Sequence, residues 1–419
     1  MRKPVFVNHR NGQLQWAGIS PKGQLKLICI HESRRVSRSV LICLLLLSLC
    51  ITAFPQTEHS MQLLAPNVGW ALYGGRLYWT TDNGRKWKEI TPHDGTSRGI
   101  SAVFFLNRAT GWALFTRRNE SNDTVAFDLA STTDAGSSWT INRINIPNQV
   151  PGKSASLAGN ARLAFIDPLH GWMNFGLVGS SAFNPGGTIR TSDGGRTWSD
   201  VGGPPMGWGF VQFVNENEGW ATNLENLYAT HDGGRRWQSV SPTAPSQVYP
   251  AEATYGLPTF LDSRRGFLPV DYSEEGKSAM VLFATDNGGR SWKPDRVLPN
   301  LRATSVGQMF ANSVVDSTWI VGGPPTEGAI TLIMLGPNGT RHSVVGPSVV
   351  RDALGTSFSG VVFSLSFLNV SNGWVTLACC GTQTNLFSTT DRGATWLNIT
   401  PFCNRVLNHR KGELCAFSH

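Results

Sequence analysis

The chain has 419 residues and a formal net charge of +8, from 36 Lys/Arg against 28 Asp/Glu. Eight of those basic residues and one acidic residue fall within residues 1–53, which leaves 28 against 27 on the remainder. A body near +1 lacks the basic footprint of a nucleic-acid binder, and that class is set aside.

In chain order, residues 1–40 carry no repeat, and residues 40–54 (VLICLLLLSLCITAF) form an apolar run behind Arg34, Arg35 and Arg38. A helix of that length, at ~1.5 Å per residue, falls short of a bilayer core roughly 30 Å thick. The basic flank, short apolar centre and small Ala53 read as a secretory signal peptide cleaved near Ala53, with an uncleaved N-terminal anchor as the alternative. The stretch ahead of the run is long for a signal peptide, so the start is expected nearer Val36. Detection of peptides from Met1 to Lys26 in the unprocessed precursor would overturn that. The residue before Cys50 does not suit a lipidation box. The expected product is an exported protein, periplasmic or extracellular, in contact with a membrane at most peripherally, with residues 1–53 as leader and 54–419 as the folded domain.

Beyond the leader an eight-residue pattern, Ser/Thr-x-Asp-x-Gly-x-x-Trp, returns along the chain. It occurs with Asp82 and Trp87, Asp134 and Trp139, Asp193 and Trp198, Asp232 and Trp237, and Asp391 and Trp396. A sixth copy ends at Trp292 and carries Asn287 in place of Asp. An Asp side chain accepts backbone N–H groups just ahead of it, Gly permits positive φ, and Trp buries apolar area under the turn, so the box is a self-folding hairpin corner. Each copy offers one carboxylate and the next lies some fifty residues away, so the boxes are structural rather than calcium ligands.

A second landmark precedes the boxes: Gly-Trp at Trp70, Trp112, Trp172, Trp220 and Trp374, with Gly266-Phe267 as a relative, each behind a short apolar segment. The unit therefore reads as four short strands. Box tryptophans are separated by 52, 59, 39, 55 and 104 residues, and the last interval holds a degenerate unit. There, Asp316 to Val321 takes the place of a Gly-Trp strand, and Gly336 to Thr340 is a turn without its Asp and Trp. Seven four-strand units of about fifty residues predict an all-β, seven-bladed β-propeller with one degenerate blade. The first and last units each hold four strands, so closure is expected to rest on blade packing and a Cys-containing tail.

Partner-binding candidates are the box-turn cations Arg196, Arg235, Arg236 and Arg290, which share one rim and suit an acidic protein surface. Trp208, in a Gly/Pro-rich connection, is the best single exposed contact. Arg264 and Arg265 sit in a different turn. In an oxidising compartment Cys379, Cys380, Cys403 and Cys415 favour disulfides, three pairings being possible. No nucleotide loop, catalytic triad or metal cluster stands out, and no cofactor is expected.

The box is that of the bacterial-neuraminidase or Asp-box repeat. Together with Gly69-Trp70-Ala71, Gly111-Trp112-Ala113 and Gly219-Trp220-Ala221 it resembles the photosystem II stability and assembly factor family over residues 61–400. The resemblance implies a lumenal or periplasmic, non-enzymatic propeller that binds membrane-protein assembly intermediates, and a monomer is expected. Inserts before the second, third and fifth boxes depart from the regular pattern. The rival class is a sialidase-like or other glycoside hydrolase, since such enzymes carry the same boxes; a glycan-binding propeller is a third. The arginine segment expected of a sialidase is missing, since Arg143 follows a box rather than preceding it. Tyr272 with Glu274 and Glu275 reads as a water-facing loop. Asp128, Asp167, Glu225, Asp262 and Asp271 are too scattered to pair as the two carboxylates a glycosidase needs.

Overall fold

The computed structural model describes residues 17–19, 25–27, 61–93, 99–118, 125–145, 156–178, 186–205, 209–248, 252–274, 277–299, 312–322, 332–344, 361–379 and 383–401. The chain divides into two compact units, Met1–Phe54 and Pro55–His419. In the first, strands Ala17–Ile19 and Leu25–Leu27 pair antiparallel. The apolar run and its expected cleavage site lie outside the described residues. Among the described residues no helix is long and apolar enough to cross a membrane.

The second unit is a seven-bladed β-propeller whose blades are antiparallel sheets of consecutive strands, here lettered a to d in each blade. Blade 1 comprises Met61–Ala65, Val68–Tyr73, Arg76–Thr80 and Lys88–Glu89. Blade 2 runs from strand Ile100–Phe105 to Thr140–Asn145, blade 3 from Ser156–Phe165 to Ser199–Asp200, and blade 4 from Phe210–Phe213 to Gln238–Ser239. Blade 6 runs from Asn312–Val315 to Arg341–Val344 and blade 7 from Val361–Phe367 to Leu397–Asn398. Blade 5 differs: its strand a is split into Glu252–Tyr255 and Thr259–Phe260, both paired with strand b, Gly266–Glu274. The break holds Gly256 and Pro258, and a proline has no N–H to give the ladder.

A single sheet cannot bury both faces, and the propeller solves this at seven seams. Each of seven apolar clusters joins one blade to the next, including blade 7 to blade 1. The Gly-Trp pair builds these seams. Trp112 of blade 2 stacks on Phe165 of blade 3 at 3.6 Å between ring centres, and Trp172 of blade 3 stacks on Phe213 of blade 4 at 3.7 Å. The box Trp of the next blade then meets the same Phe edge-on, as Trp198 meets Phe165. The preceding glycine is required because a Cβ on Gly111, Gly171, Gly219 or Gly373 would overlap the Phe ring of its own blade.

Among the described residues closure uses no exchanged strand, because blade 1 and blade 7 each supply all four of their own. The Leu63 N–H donates to Ser366 Oγ at 2.9 Å, the Trp87 indole N–H to the Ile399 carbonyl at 2.6 Å, and the Trp374 indole N–H to Asn83 Oδ1 at 2.8 Å.

Blade 6 has its four strands, but its tryptophan faces the other way. Trp319 packs into the seam with blade 5, whereas Ile320 faces blade 7, where the Gly-Trp tryptophans of the other blades look forward. In a pleated strand a one-residue offset reverses the face, so Trp319 occupies the expected strand and not the expected seam. Blade 5 supplies the missing tie to this blade. Buried Arg296 donates to the carbonyls of Ser317 at 2.8 Å and Leu335 at 2.7 Å, with its guanidinium over the Phe267 ring.

Candidate functional site

The box turns join strands c and d, and all six are built alike. The Thr hydroxyl sits at the centre. In the third blade Thr191 Oγ1 accepts the Gly195 N–H at 2.9 Å and donates to Asp193 Oδ1 at 2.8 Å, and Asp193 Oδ1 accepts the Thr197 N–H at 2.9 Å. The same three bonds recur at Asp82, Asp134, Asp232 and Asp391. Asn287 keeps them, and its amide N–H donates to Ser291 Oγ at 2.8 Å, where Asp193 Oδ2 instead accepts from Thr197 Oγ1. The fourth and fifth box residues both have positive φ, from Asn83 (59°) and Gly84 (79°) to Arg392 (62°) and Gly393 (78°).

The turn geometry sets the charge on these carboxyls. The Ser138 hydroxyl and N–H hold Asp134 at about 2, below its ordinary 3.8. At Asp193 burial alone would raise the value, but the Thr197 hydroxyl and N–H outweigh it and hold it at about 2. Asp391 is lowered by Thr395, and Asp232 is lowered by the Arg236 N–H against an opposing effect of burial. Both oxygens of Asp134, Asp193 and Asp391, and Oδ1 of Asp232, are occupied by the turn.

The box tryptophans Trp87, Trp139, Trp198, Trp237, Trp292 and Trp396 are all partly buried beneath their turns. Trp198, Trp237 and Trp396 donate to the carbonyl of their own box glycine, whereas Trp139 reaches Ile90 of the preceding blade at 2.8 Å.

A second turn, between strands a and b, lies against each box. The N–H of the fourth box residue donates to its carbonyls: Ala135 to Ala109, Gly194 to Leu169, Gly233 to Asn217, and Gly288 to Arg264 at 2.8 Å. Five of these turns close on an Asn or Asp side chain that accepts two N–H groups: Asn107, Asp167, Asn215, Asp262 and Asn369. Two candidate carboxylates of the hydrolase reading, Asp167 and Asp262, are thus turn caps. The Arg265 N–H holds Asp262 at about 2. Asp128 and Asp271 are buried on strands of blades 2 and 5, and Glu225 is exposed in blade 4.

Tyr272 corrects the sequence reading. It lies within strand Gly266–Glu274, only 3% exposed, in the core shared by blades 4 and 5, rather than in a loop facing water. Burial pushes its phenol above the ordinary value. Both faces of that strand are buried from Leu268 to Tyr272, whereas Glu274 stands at its end, half-buried.

The box-turn cations Arg196, Arg235, Arg236 and Arg290 are exposed, on blades 3, 4, 4 and 5. Arg264 and Arg265, which the sequence places in another turn, stand on the same rim, because the a–b turn of blade 5 is bonded to its box: Arg264 Nε also donates to the Asp286 carbonyl at 3.1 Å. Only the box-to-turn register reveals this. Arg265 is paired with Asp262 at 2.7 Å, and Arg190 with Glu216 at 2.6 Å. Trp208, Cys380, Cys403 and Cys415 lie outside the described residues. Of Cys379 only the backbone is described, at the end of strand Gly373–Cys379. Among the described residues no group of three or more His, Cys, Asp and Glu is placed to hold a metal ion.

No family model and no curated protein matches the chain. Among solved structures it is similar to YCF48 bound to a D1 peptide, with 16% identity, 80% of this chain and 93% of that chain covered, and a TM-score of 0.48. An uncharacterized protein from Listeria monocytogenes EGD-e gives 11% identity over 82% and 94% of the two chains, with a TM-score of 0.47. A puromycin hydrolase gives 11% identity over 82% of this chain and 54% of that chain, with a TM-score of 0.47. Identities this low transfer no activity.

Proposed function

We propose that the chain is an exported, non-enzymatic propeller that binds an acidic protein surface on the rim formed by its box turns. A membrane-protein assembly intermediate is the partner class, as the box and Gly-Trp-Ala resemblance to photosystem II assembly factors implies. The observation that carries the reading is the convergence of Arg196, Arg235, Arg236, Arg264 and Arg290 on the adjacent blades 3 to 5 of one rim. The box carboxylates beside them are already engaged by their own turns, so much of the basic character is left for a partner. Exposed charges of this kind raise association rates and fix orientation, and salt screens them.

The test is cross-linking capture by the tagged full chain from its own envelope fraction, beside a variant carrying Arg196→Glu, Arg235→Glu and Arg236→Glu. Specific membrane proteins captured by the wild type, lost in the variant and weakened by raised salt, are the expected result. Release of sugar from envelope glycans by the purified chain, with no protein captured, would replace this reading with a hydrolase.

A further inference from the structure

The seam between blades 4 and 5 is unlike its neighbours. In blades 2 and 3 the Gly-Trp indole N–H donates across the seam to the fourth residue of the next box: Trp112 to the Gly194 carbonyl and Trp172 to the Gly233 carbonyl, both at 3.1 Å. The corresponding tryptophan of blade 4, Trp220, is 1% exposed, and its N–H has no hydrogen-bond partner among the described residues. The box Trp across the same seam, Trp292, likewise has a buried N–H without a partner among them.

The cause lies in blade 5. Strand a of blade 5 is broken at Gly256 to Pro258, and Phe260 beyond the break meets Trp220 at 4.5 Å and 33°, where the other two seams stack at 4° and 5°. A second difference lies beside it. Trp172 is paired in register with Arg190, whose guanidinium lies over the indole and reaches Glu216 of the next blade. Trp220 is paired with Ala229, which has nothing to reach with.

The seam therefore opens into a cleft of about 390 Å³, with Trp220, Glu218, Ser263, Arg264, Asn287 and Arg290 on its wall. That volume lies within the size range of ligand pockets. A buried donor without an acceptor costs roughly 1–3 kcal/mol unless something occupies the site. The charged groups on the wall are of two kinds. Glu218 is engaged by the His231 ring at 2.5 Å. Arg264 has only its Nε committed to a carbonyl, and Arg290 is exposed with no carboxylate paired to it among the described residues.

We propose that this cleft binds a carboxylate, which accepts hydrogen bonds from the Arg264 and Arg290 guanidinium groups and the Trp220 indole N–H, and that in the assembled state an acidic side chain of the protein partner supplies it. A singly charged, planar acceptor suits the paired guanidinium forks, and Glu218 on the same wall disfavours a more highly charged anion. The proposal rests on the reading of this rim as a protein-binding surface and adds its anchoring pocket.

The test follows the indole N–H resonances of the ¹⁵N-labelled full chain, with the Trp220 signal assigned through Trp220→Phe. The probes are a peptide of alternating Glu and Gly, its Gln counterpart, and succinate. The Glu peptide is expected to shift the Trp220 signal, the Gln peptide to leave it still, and Arg290→Gln, an exposed change that spares the fold, to weaken binding about tenfold. Succinate matching the peptide in affinity would keep the carboxylate site and assign a free acid as its source. An unmoved Trp220 signal, or an equal response in Arg290→Gln, overturns the proposal. Capture of membrane proteins in the same preparation separates the two readings. If capture persists while Trp220 stays unmoved, the cleft alone fails; if capture fails while Trp220 responds, the scaffold reading alone fails.

Discussion

At each box the Thr hydroxyl is the group on which the turn closes. Thr191 is 1% exposed and satisfies a buried Gly195 N–H. Thr191→Val keeps the shape, strands that donor and is expected to lower stability by about 1–3 kcal/mol in a denaturant titration. The Asp contributes through its charge as well as its geometry. Asp134 and Asp193 titrate at about 2 in the folded chain against 3.8. Their folded values are depressed, so the stability they bring is present above about pH 4 and is lost as pH falls toward 2. Melting temperatures followed across that window are expected to drop steeply for the wild type and less so for Asp193→Asn. Asn287 makes the corresponding bonds without a charge, which is why the departure in the fifth blade leaves its turn intact.

At the scale of the strand and the seam, the sequence is informative wherever the cause of structure is local. The boxes and the Gly-Trp strands are hairpin chemistry written within a few residues, and they mark six blades without reference to anything distant. The seventh was countable only from the doubled interval, and there the pattern misled: Trp319 matches by type, yet period-two alternation sends it to the other face. Tyr272 was misplaced for a related reason, since Glu274 beside it suggested a loop where strand b continues. The cleft beside Trp220 was not legible, because it arises from a strand break at Pro258 acting on a ring two residues later and on a tryptophan in another blade. The tie made by Arg296 was equally hidden, as its two carbonyl partners lie 21 and 39 residues away. Arg296→Met removes both charge-assisted bonds from the seam of the degenerate blade. It is expected to cost about 3 kcal/mol, read from chemical denaturation, with blade 6 losing amide-exchange protection first.

At the scale of the whole molecule, seven seams close a ring without a shared strand. A chain ending at residue 360 lacks blade 7 and uncovers Leu63 and Ala71 on one side and Ile320 and Met334 on the other. Apolar faces of that kind associate, so size-exclusion chromatography is expected to show oligomers. A chain ending at residue 401 keeps all four strands of blade 7 and the Trp87 bond to Ile399, and is expected to elute and melt as the full chain does. A large loss of stability in that second chain would instead assign ring closure to the Cys-containing tail.

The closing bond between Asn83 and Trp374 also imposes an order in time, since its partners are 291 residues apart. At ribosomal speeds of roughly 5–20 residues per second, the two groups emerge on the order of fifteen to sixty seconds apart. For that interval the outer face of the first blade has no cover from its own chain, while every other seam forms between blades made one after the other. A newborn chain thus keeps this face of blade 1 open for the whole interval, whereas the forward face of each later blade is covered once the next one emerges. The last blade of a neighbouring nascent chain fits that surface as well as its own does, which makes exchange of blade 7 between two copies the characteristic way for this architecture to misassemble.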